Sequence, residues 1–512
     1  MVPLKTLLAV ALMIPATVRP QASAYVPTDD IAYAYVDALI ARGMLPGLSA
    51  LDRPFTVNRI RDALDSTSVA GNAGVVASYV TALRALIGRY DLRSVGEATS
   101  SRSQFRAKAT FDIYATAQTS ARRELMVSDS RDDVSPAAGG YFVMGGGHLA
   151  GSVRAILDNR LNADPEFTGG QDRPIAGRTE DAYIGGQWKY GELSFGRIAR
   201  SWGPAGFSGL LLGDDAYTYD HLFGRAGTKR FNISTVIAKL ENYVLTPGVE
   251  SSRYFSAHRL AVNRGRFEMA LSESFVYSGV GRGLEFSLLN PLNVYGLSWK
   301  NERTDGNLAF GFEAAFRSRT RGLISGQLLL DDVQIDKCDT VCREPSAYGL
   351  TLAAEGLPAI GDQRLFASYT RVSNLAYRTP NVAERYAIYG VGLGRGYSDY
   401  DELRLGVDLA ILPRAPLRVY VARRRQGEGD YRNPYPAPSL FDRTPGILSG
   451  TVWTTNRIGV TGSALLFRDF QLSADAGVNQ SANRSNRQGY DISIFEGRAR
   501  VTWVPRWLVR FE

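Results

Sequence analysis

Cysteine is nearly absent from the chain, with two residues in 512. Cys338 and Cys342 lie in one short acidic segment, and in an oxidising compartment a pair this close is most simply a disulfide that pins a loop. A zinc site would need four nitrogen or sulfur ligands, and no histidine lies near the pair. The neighbouring aspartates could instead hold calcium, but a solvated acidic loop is the favoured interpretation. We therefore predict no metal centre and no cofactor.

Histidine is almost as scarce. His148, His221 and His258 are the three that the sequence contains. A hydrolase with a Ser–His pair needs only one of them as a base, and His221 is the best candidate. No nucleophile motif surrounds it, so a hydrogen-bonded structural role is the favoured interpretation. The sequence therefore predicts no catalytic residues.

Long apolar runs are also missing, apart from one near the start. Lys5 precedes the apolar run 7–14, and Ala22, Ser23 and Ala24 form the small-x-small pattern that signal peptidase reads. A membrane anchor is the alternative, but this run is far shorter than the roughly 20 residues of a spanning helix. We expect residues 1–24 to be a signal peptide that is removed on export.

No excess of one charge dominates the chain. The 59 basic and 51 acidic residues are mixed along it, and the formal charge is +8. This balance excludes a nucleic-acid-binding stripe and supports only a mild preference for acidic glycans or lipopolysaccharide phosphates. The basic cluster 423–425 is interpreted as a rim that meets lipid phosphates or solvent, and a grip on acidic sugars is the alternative.

After about residue 103 the sequence shows a strict alternation of apolar and polar residues. In segment 105–118, for example, Phe111 and Ile113 share one face, while Asp112 and Tyr114 share the other. Strands of about 9 to 11 residues with charges on one face only are typical of bilayer-crossing strands, whereas soluble sandwiches use about 5 or 6. The alternation recurs in segments 308–317, 403–411, 470–479 and 498–511.

These segments predict a mainly β fold, a large antiparallel transmembrane β-barrel of about 16–18 strands over residues 96–512. Soluble β-domains or a β-propeller are the alternatives. Pro505 cannot donate to a strand ladder, so the closing strand is expected to be bulged or to end before it. Turn-rich segments predict longer loops at 160–177, 430–446 and 481–488.

Residues 25–95 are instead predicted to form a small periplasmic helical bundle. Asp29 and Asp30 offer capping side chains to a first helix, and Gly43 is a natural stop. A second helix follows Thr56, and a third is predicted over 75–90 from apolar residues at three- to four-residue intervals.

The most distinctive stretch is 193–204, a strand that runs into the turn Trp202-Gly203-Pro204, followed by the small apolar run 209–216. This stretch resembles the core signature of the Wzi-type capsule-assembly family. The segment 285–293 is similar to the family's strand-to-turn element, and 327–336 is similar to its acidic segment. The helical start, 30–48 followed by 54–56, also resembles the family's N-terminal unit.

The resemblance implies an outer-membrane barrel of about 18 strands with a helical bundle at its periplasmic mouth. Its implied role is that of a surface lectin that anchors capsular or exported polysaccharide without catalysis. Membrane lipid and lipopolysaccharide are further expected partners, nucleic acid is not, and the protein is expected to be a monomer. A porin or sugar-permeable channel and a barrel hydrolase are the alternatives.

Polysaccharide recognition uses aromatic stacking together with convergent hydrogen bonds. The motif supplies six candidate residues of these types, and packing of the barrel interior is the alternative role for them. They are Arg197, Arg200, Trp202, Asp214, Asp215 and Tyr217.

Overall fold

The protein, in a computed structural model, is a closed antiparallel β-barrel of 18 strands. Residues 22–67, 74–93, 105–301, 305–318, 320–332, 344–412, 414–467, 469–505 and 509–511 are described. The strand number lies at the upper limit of the sequence prediction, and the fold class is confirmed. The barrel strands are β1 (Arg106–Gln118), β2 (Asp133–Gly146), β3 (Leu149–Asp158), β4 (Gly177–Trp188), β5 (Gly191–Arg197), β6 (Asp220–Gly227), β7 (Phe231–Lys239), β8 (Val249–Arg264), β9 (Phe267–Gly279), β10 (Asn307–Ser318), β11 (Gly322–Asp332), β12 (Ala347–Pro358), β13 (Arg364–Val372), β14 (Tyr400–Leu409), β15 (Leu417–Gln426), β16 (Trp453–Phe467), β17 (Phe470–Ala482) and β18 (Ile492–Trp503).

The first and last strands close the barrel. On one side β1 pairs with β2, and on the other it pairs with β18, from Gln118 opposite Arg498 to Ile113 opposite Trp503. The final strand ends before Pro505, as predicted, and pairing with β1 resumes at Val509–Phe511. No edge is therefore left along most of β1, which is the condition for placing a sheet in lipid.

The two-residue rhythm separates the outer surface of the barrel from its lumen. In β1, Phe111 and Ile113 are more than half exposed on the outer surface, whereas Thr110 and Thr116 are buried inside. Likewise Leu403 and Leu405 face outward in β14, while Arg404 between them faces the lumen. The predicted alternation is confirmed, and the apolar outer surface is the one that meets hydrocarbon.

The two ends of the barrel differ in the length of their connections. At one end, the short-turn end, strands are joined by two to seven residues; at the other, the long-loop end, connections run from nine to twenty-seven residues. Gly147 and Gly265 adopt positive φ in two of the tightest turns, where the backbone conformation favours glycine. The loops predicted at 160–177 and 430–446 are confirmed, whereas β17 continues to Ala482, past the predicted start of the third.

One predicted element is wrong. Segment 285–293 was expected to hold a strand, but the chain leaves the barrel at Gly279 and forms two short helices, α4 (Phe286–Leu289) and α5 (Tyr295–Asn301). Leu288 is completely buried in an aromatic cluster, and its carbonyl accepts a hydrogen bond from the Tyr295 hydroxyl at 2.7 Å. These contacts hold the segment in a helical turn, so the strand that the resemblance implied is absent from 285–293.

The N-terminal helices lie at the short-turn end. They are α1 (Ala32–Ala41), α2 (Val57–Asp65) and α3 (Val75–Ile87), and all three match the predicted positions. The Asp30 carboxylate accepts from the Ala32 amide at 2.8 Å, and Thr56 caps α2. None of the described helices is long and apolar enough to cross a membrane. Residues 1–21 of the predicted leader, and both cysteines, lie outside the described residues.

Candidate functional site in the lumen

The helical unit (residues 25–67 and 74–93) closes the short-turn end of the lumen. Its apolar side chains form one cluster with inward-facing barrel residues such as Tyr141 and Val143. Arg317 of β10 donates to the carbonyls of Leu45 and Leu48, at 3.3 and 2.8 Å. The unit is therefore attached to the barrel wall by both apolar packing and hydrogen bonds.

A loop between β5 and β6 (residues 198–219, here the plug loop) folds back into the lumen from the other end. Trp202 and Leu210 are completely buried in an apolar cluster with the surrounding strands. Gln327 of β11 holds both: its amide oxygen accepts from the Leu210 amide at 2.8 Å, and its amide nitrogen donates to the Trp202 carbonyl at 2.7 Å. Tyr377 and Tyr386 donate to the carbonyls of residues 210 and 211.

Three of the six predicted binding residues are engaged by other parts of the barrel: Trp202, Arg200 and Arg197. Trp202 is fully buried, and the Arg200 guanidinium lies 3.5 Å from the centre of the Phe223 ring. Arg197 faces outward at the end of β5, where it forms an ion pair of 2.8 Å with Asp220. The motif therefore does not bring these three side chains into one site.

His221, the candidate base, uses both ring nitrogens. Arg200 donates through Nε to Nε2 at 2.9 Å, and Nδ1 lies 3.0 Å from the Tyr219 carbonyl oxygen. A ring that accepts at Nε2 and donates at Nδ1 is neutral, and it has no free nitrogen with which to take a proton from a nucleophile.

Asp215 and Tyr217 do come together, around Arg123 from the β1–β2 loop, and Asp214 precedes them in the plug loop. Arg123 donates to the Asp215 carbonyl at 2.7 Å, and its guanidinium lies 3.9 Å from the centre of the Tyr217 ring. The Tyr217 hydroxyl donates to Asp164 at 2.5 Å. Burial, followed by the neighbouring charge of Asp215, raises the pKa of Asp214 above its ordinary value.

Three cavities remain between these elements and the wall formed by β14–β18 and β1–β4. The helix-side cavity, of about 320 Å³, lies against residues 28–31 and Arg89. The middle one, which we name the arginine chamber, has a volume of about 410 Å³. The loop-side cavity, of about 280 Å³, lies against Phe207 and Tyr397. The arginine chamber shares lining residues with each of the others, and Arg123 lines all three.

The cavities differ in charge. Six arginines and seven carboxylates line the helix-side cavity, and four of each line the loop-side cavity. The arginine chamber has six arginines and only two carboxylates, so its lining carries a formal charge of +4. Its arginines are Arg123, Arg160, Arg404, Arg457, Arg498 and Arg500.

Sequence reasoning placed none of these six arginines in a site. Four of them lie at inward-facing positions of barrel strands. The alternation of the sequence assigns such residues to the lumen, but it does not show that they lie at the same level along the barrel axis. Arg123 and Arg160 come from loops whose inward path the sequence does not show. The sequence signal for this cluster was that Arg498 and Arg500, two residues apart on one strand, face the same side.

Fold and lumen together define the protein as an outer-membrane β-barrel whose interior is occupied by its own helices and plug loop. No protein-family model and no curated protein sequence matches the chain. Among solved structures it is similar to Wzi, an outer membrane protein involved in group 1 capsule assembly in Escherichia coli and a carbohydrate-binding β-barrel. The TM-score is 0.62 at 14% identity, over 94% of this chain and 99% of that one.

The chain is also similar to porin-like barrels, at lower scores. For OprD of Pseudomonas aeruginosa the TM-score is 0.43 at 10% identity, over 81% of this chain and 100% of that one. For OpdK of the same organism the TM-score is 0.43 at 11% identity, over 80% and 99%. At these identities the comparisons show the fold of the chain.

Proposed function

We propose that this protein is a non-catalytic outer-membrane barrel that binds exported or capsular polysaccharide and anchors it at the cell surface. The observation that carries the proposal is the occupied lumen: the helical unit fills one end and the plug loop the other. A barrel built in this way offers cavities for binding in place of one wide aqueous channel. The fold similarity to Wzi, itself a carbohydrate-binding barrel, supports the same role.

The proposal includes a cellular arrangement. Short turns of such barrels face the periplasm and long loops face outward, so the helical unit would lie on the periplasmic side. Residues 1–24 would direct export and be removed, and lipopolysaccharide would surround the long-loop end. The barrel would act as a monomer.

Of the six motif residues, we propose that Asp214, Asp215 and Tyr217 contact the polysaccharide, because they line the helix-side or loop-side cavity. Trp202 and Arg200 would serve by holding the plug loop in place. Arg197 would act at the outer rim.

Deletion of the gene tests the anchoring role directly. We expect polysaccharide to move from the cell-attached fraction to the medium, with total polymer unchanged, and staining of the two fractions measures this. Complementation with the intact gene should restore attachment. Unchanged attachment in the deletion strain would remove the anchoring role and leave the barrel fold intact.

A channel is the second candidate, because the three cavities share lining residues from the helical unit to the long loops. Conductance of the purified protein in planar bilayers separates the two. Anchoring predicts no stable open state, whereas a porin predicts stepwise ion conductance. A hydrolase that uses His221 is disfavoured, since both ring nitrogens are engaged.

A further inference from the structure

The arginines that line the arginine chamber differ in whether they form an ion pair within the described part of the chain. Arg457 forms an ion pair with Asp475 at 2.7 Å, and Arg404 contacts Glu124 at 3.6 Å as well as Glu402. Arg160 lies 3.3 Å from Asp158, and Arg123 contacts Asp164 at 3.5 Å. These four arginines have carboxylate partners.

Arg498 and Arg500 differ from those four. Arg498 donates to backbone carbonyls, the nearest being that of Arg122 at 2.6 Å. Arg500 donates to the Thr116 hydroxyl at 3.2 Å and lies over the Tyr114 ring at 4.7 Å. Within the described part of the chain neither guanidinium forms an ion pair, and both line the arginine chamber.

Two adjacent guanidinium groups inside a barrel repel each other, and a partly buried cation without a counter-charge is costly. An anion between them would relieve both effects. A guanidinium group binds a carboxylate through two parallel hydrogen bonds. Arg500 donates from Nε to Thr116, which leaves its two terminal nitrogens for such a contact. Arg498 already donates from its three nitrogens to Gln118 and to backbone carbonyls, so its contribution is mainly its charge.

The rest of the lining is suited to a sugar. Thr461, Ser463 and Ser473 present hydroxyl groups to the chamber, and Tyr420 contributes an aromatic ring. Its volume of about 410 Å³ falls within the range of about 300–1,000 Å³ found for small-molecule sites. A ligand with one anionic group and several hydroxyls can contact the arginines and the hydroxyl-bearing side chains of the lining.

We propose that the arginine chamber is a binding site for a uronate sugar, whose carboxylate lies between Arg498 and Arg500. The inference rests on the proposed polysaccharide function only for the source of the sugar, which would be a unit of the anchored polymer. The carboxylate provides the direct ion pair that Arg498 and Arg500 lack among the described residues, and the hydroxyl-bearing side chains orient the ring.

Isothermal titration calorimetry on the full-length protein in detergent tests this site. Glucuronate should bind, and glucuronamide, which has the same shape without the charge, should bind at least tenfold more weakly. Equal binding of the two would overturn the proposal. Inorganic phosphate that binds as tightly as glucuronate would reduce the site to one for small anions, and tighter binding of glucose 6-phosphate would overturn the choice of carboxylate.

Substitutions locate the site. Arg500→Gln should weaken glucuronate binding at least tenfold, and Arg500→Lys, which keeps the charge, should restore part of it. Arg423→Gln is the matched control, because Arg423 is exposed on the outer surface of β15. Heat-dependent gel migration shows whether each variant is folded. Binding by a folded Arg500→Gln protein equal to that of the unaltered protein would refute the site.

The result of the glucuronate-binding experiment can be distinguished from the result of the gene deletion. If deletion releases polysaccharide but glucuronate does not bind, the chamber assignment fails and anchoring stands. If glucuronate binds in the chamber but deletion leaves attachment unchanged, the uronate site stands and anchoring fails.

Discussion

Buried charged residues inside this barrel form ion pairs with residues of opposite charge. Arg259 of β8 and Glu313 of β10 are both almost fully buried, with guanidinium and carboxylate atoms 2.6 Å apart. The strand between them, β9, brings the two into reach across the lumen side of the sheet. Each is tolerated because the other is present.

Glu313→Gln should therefore destabilise the protein. It leaves the Arg259 cation buried without its counter-charge, which costs about 3–5 kcal/mol. Urea unfolding of the vesicle-embedded protein measures the difference. Glu250→Gln, at an exposed position, is the control and should stay within about 0.5 kcal/mol. A Glu313→Gln protein as stable as the control would show that the pair is not coupled.

Glu166, in the β3–β4 loop, provides a pH-dependent test. Burial raises the pKa of Glu166, an effect that Asp164 and Asp215 reinforce and Arg123 opposes. A raised carboxyl pKa means that ionisation destabilises the folded state, fully above the folded pKa and not at all below the unfolded value of about 4.3. Glu166→Gln should thus raise the thermal midpoint at pH 8 and leave it unchanged at pH 4. A lower midpoint at pH 8 would mean that the ion pair with Arg123 prevails.

At the level of residues, the sequence predicted correctly which face of a strand a side chain occupies. Arg498 and Arg500 occupy the polar positions of the alternating segment 498–511, and both line the lumen. Arg197 shows the limit: its place in a motif suggested a binding role, but strand parity directs it to the outer surface. Alternation shows which face of its strand a residue occupies. Which residues of distant strands lie close together depends on how the barrel closes.

At the scale of elements, Gln327 joins the plug loop to the barrel wall at two backbone positions. One side-chain amide satisfies the buried Leu210 amide and the buried Trp202 carbonyl. The sequence identified the loop by its Trp-Gly-Pro turn but not its inward path, because the partner lies more than a hundred residues away. Helices α1–α3 were predictable because apolar spacing and caps are local signals.

Gln327→Leu should loosen the plug loop without disturbing the barrel. Leucine leaves both backbone groups buried and unpaired, at about 1–3 kcal/mol each. Hydrogen exchange should accelerate across 202–212, while the strands stay protected. Gln480→Leu, on the exposed outer side of β17, is the matched control. Unchanged exchange in the plug loop would assign its retention to apolar packing alone.

At the scale of the whole molecule, closure joins the two ends of the chain. The seam is made by β1 with β18 and is extended by Val509–Phe511 opposite Ala107–Ala109. The sequence predicted the interruption at Pro505, since proline lacks the amide that a ladder requires. Resumed pairing beyond Pro505 fits the other predicted outcome, a bulged closing strand, and it requires β1 to be long enough to offer a partner.

Truncation after Val504 should weaken the barrel as a whole. The backbone groups of 107–109 would lose their partners on one side, and lipid provides none in exchange. Refolding from urea into lipid vesicles, followed by unheated gel electrophoresis, should show a smaller folded fraction than for the full-length chain. This assay uses no cellular insertion machinery, so it reports closure itself. An equal folded fraction would mean that β18 alone seals the barrel.

The attachment of the helical unit also constrains the order of biogenesis. The Tyr35 hydroxyl donates to the carbonyl of Arg414 and accepts from the amide of Leu465, positions 379 and 430 residues further along. A ribosome makes Tyr35 early and these two partners near the end. The helical unit therefore cannot make these two contacts until more than nine-tenths of the chain has been synthesised.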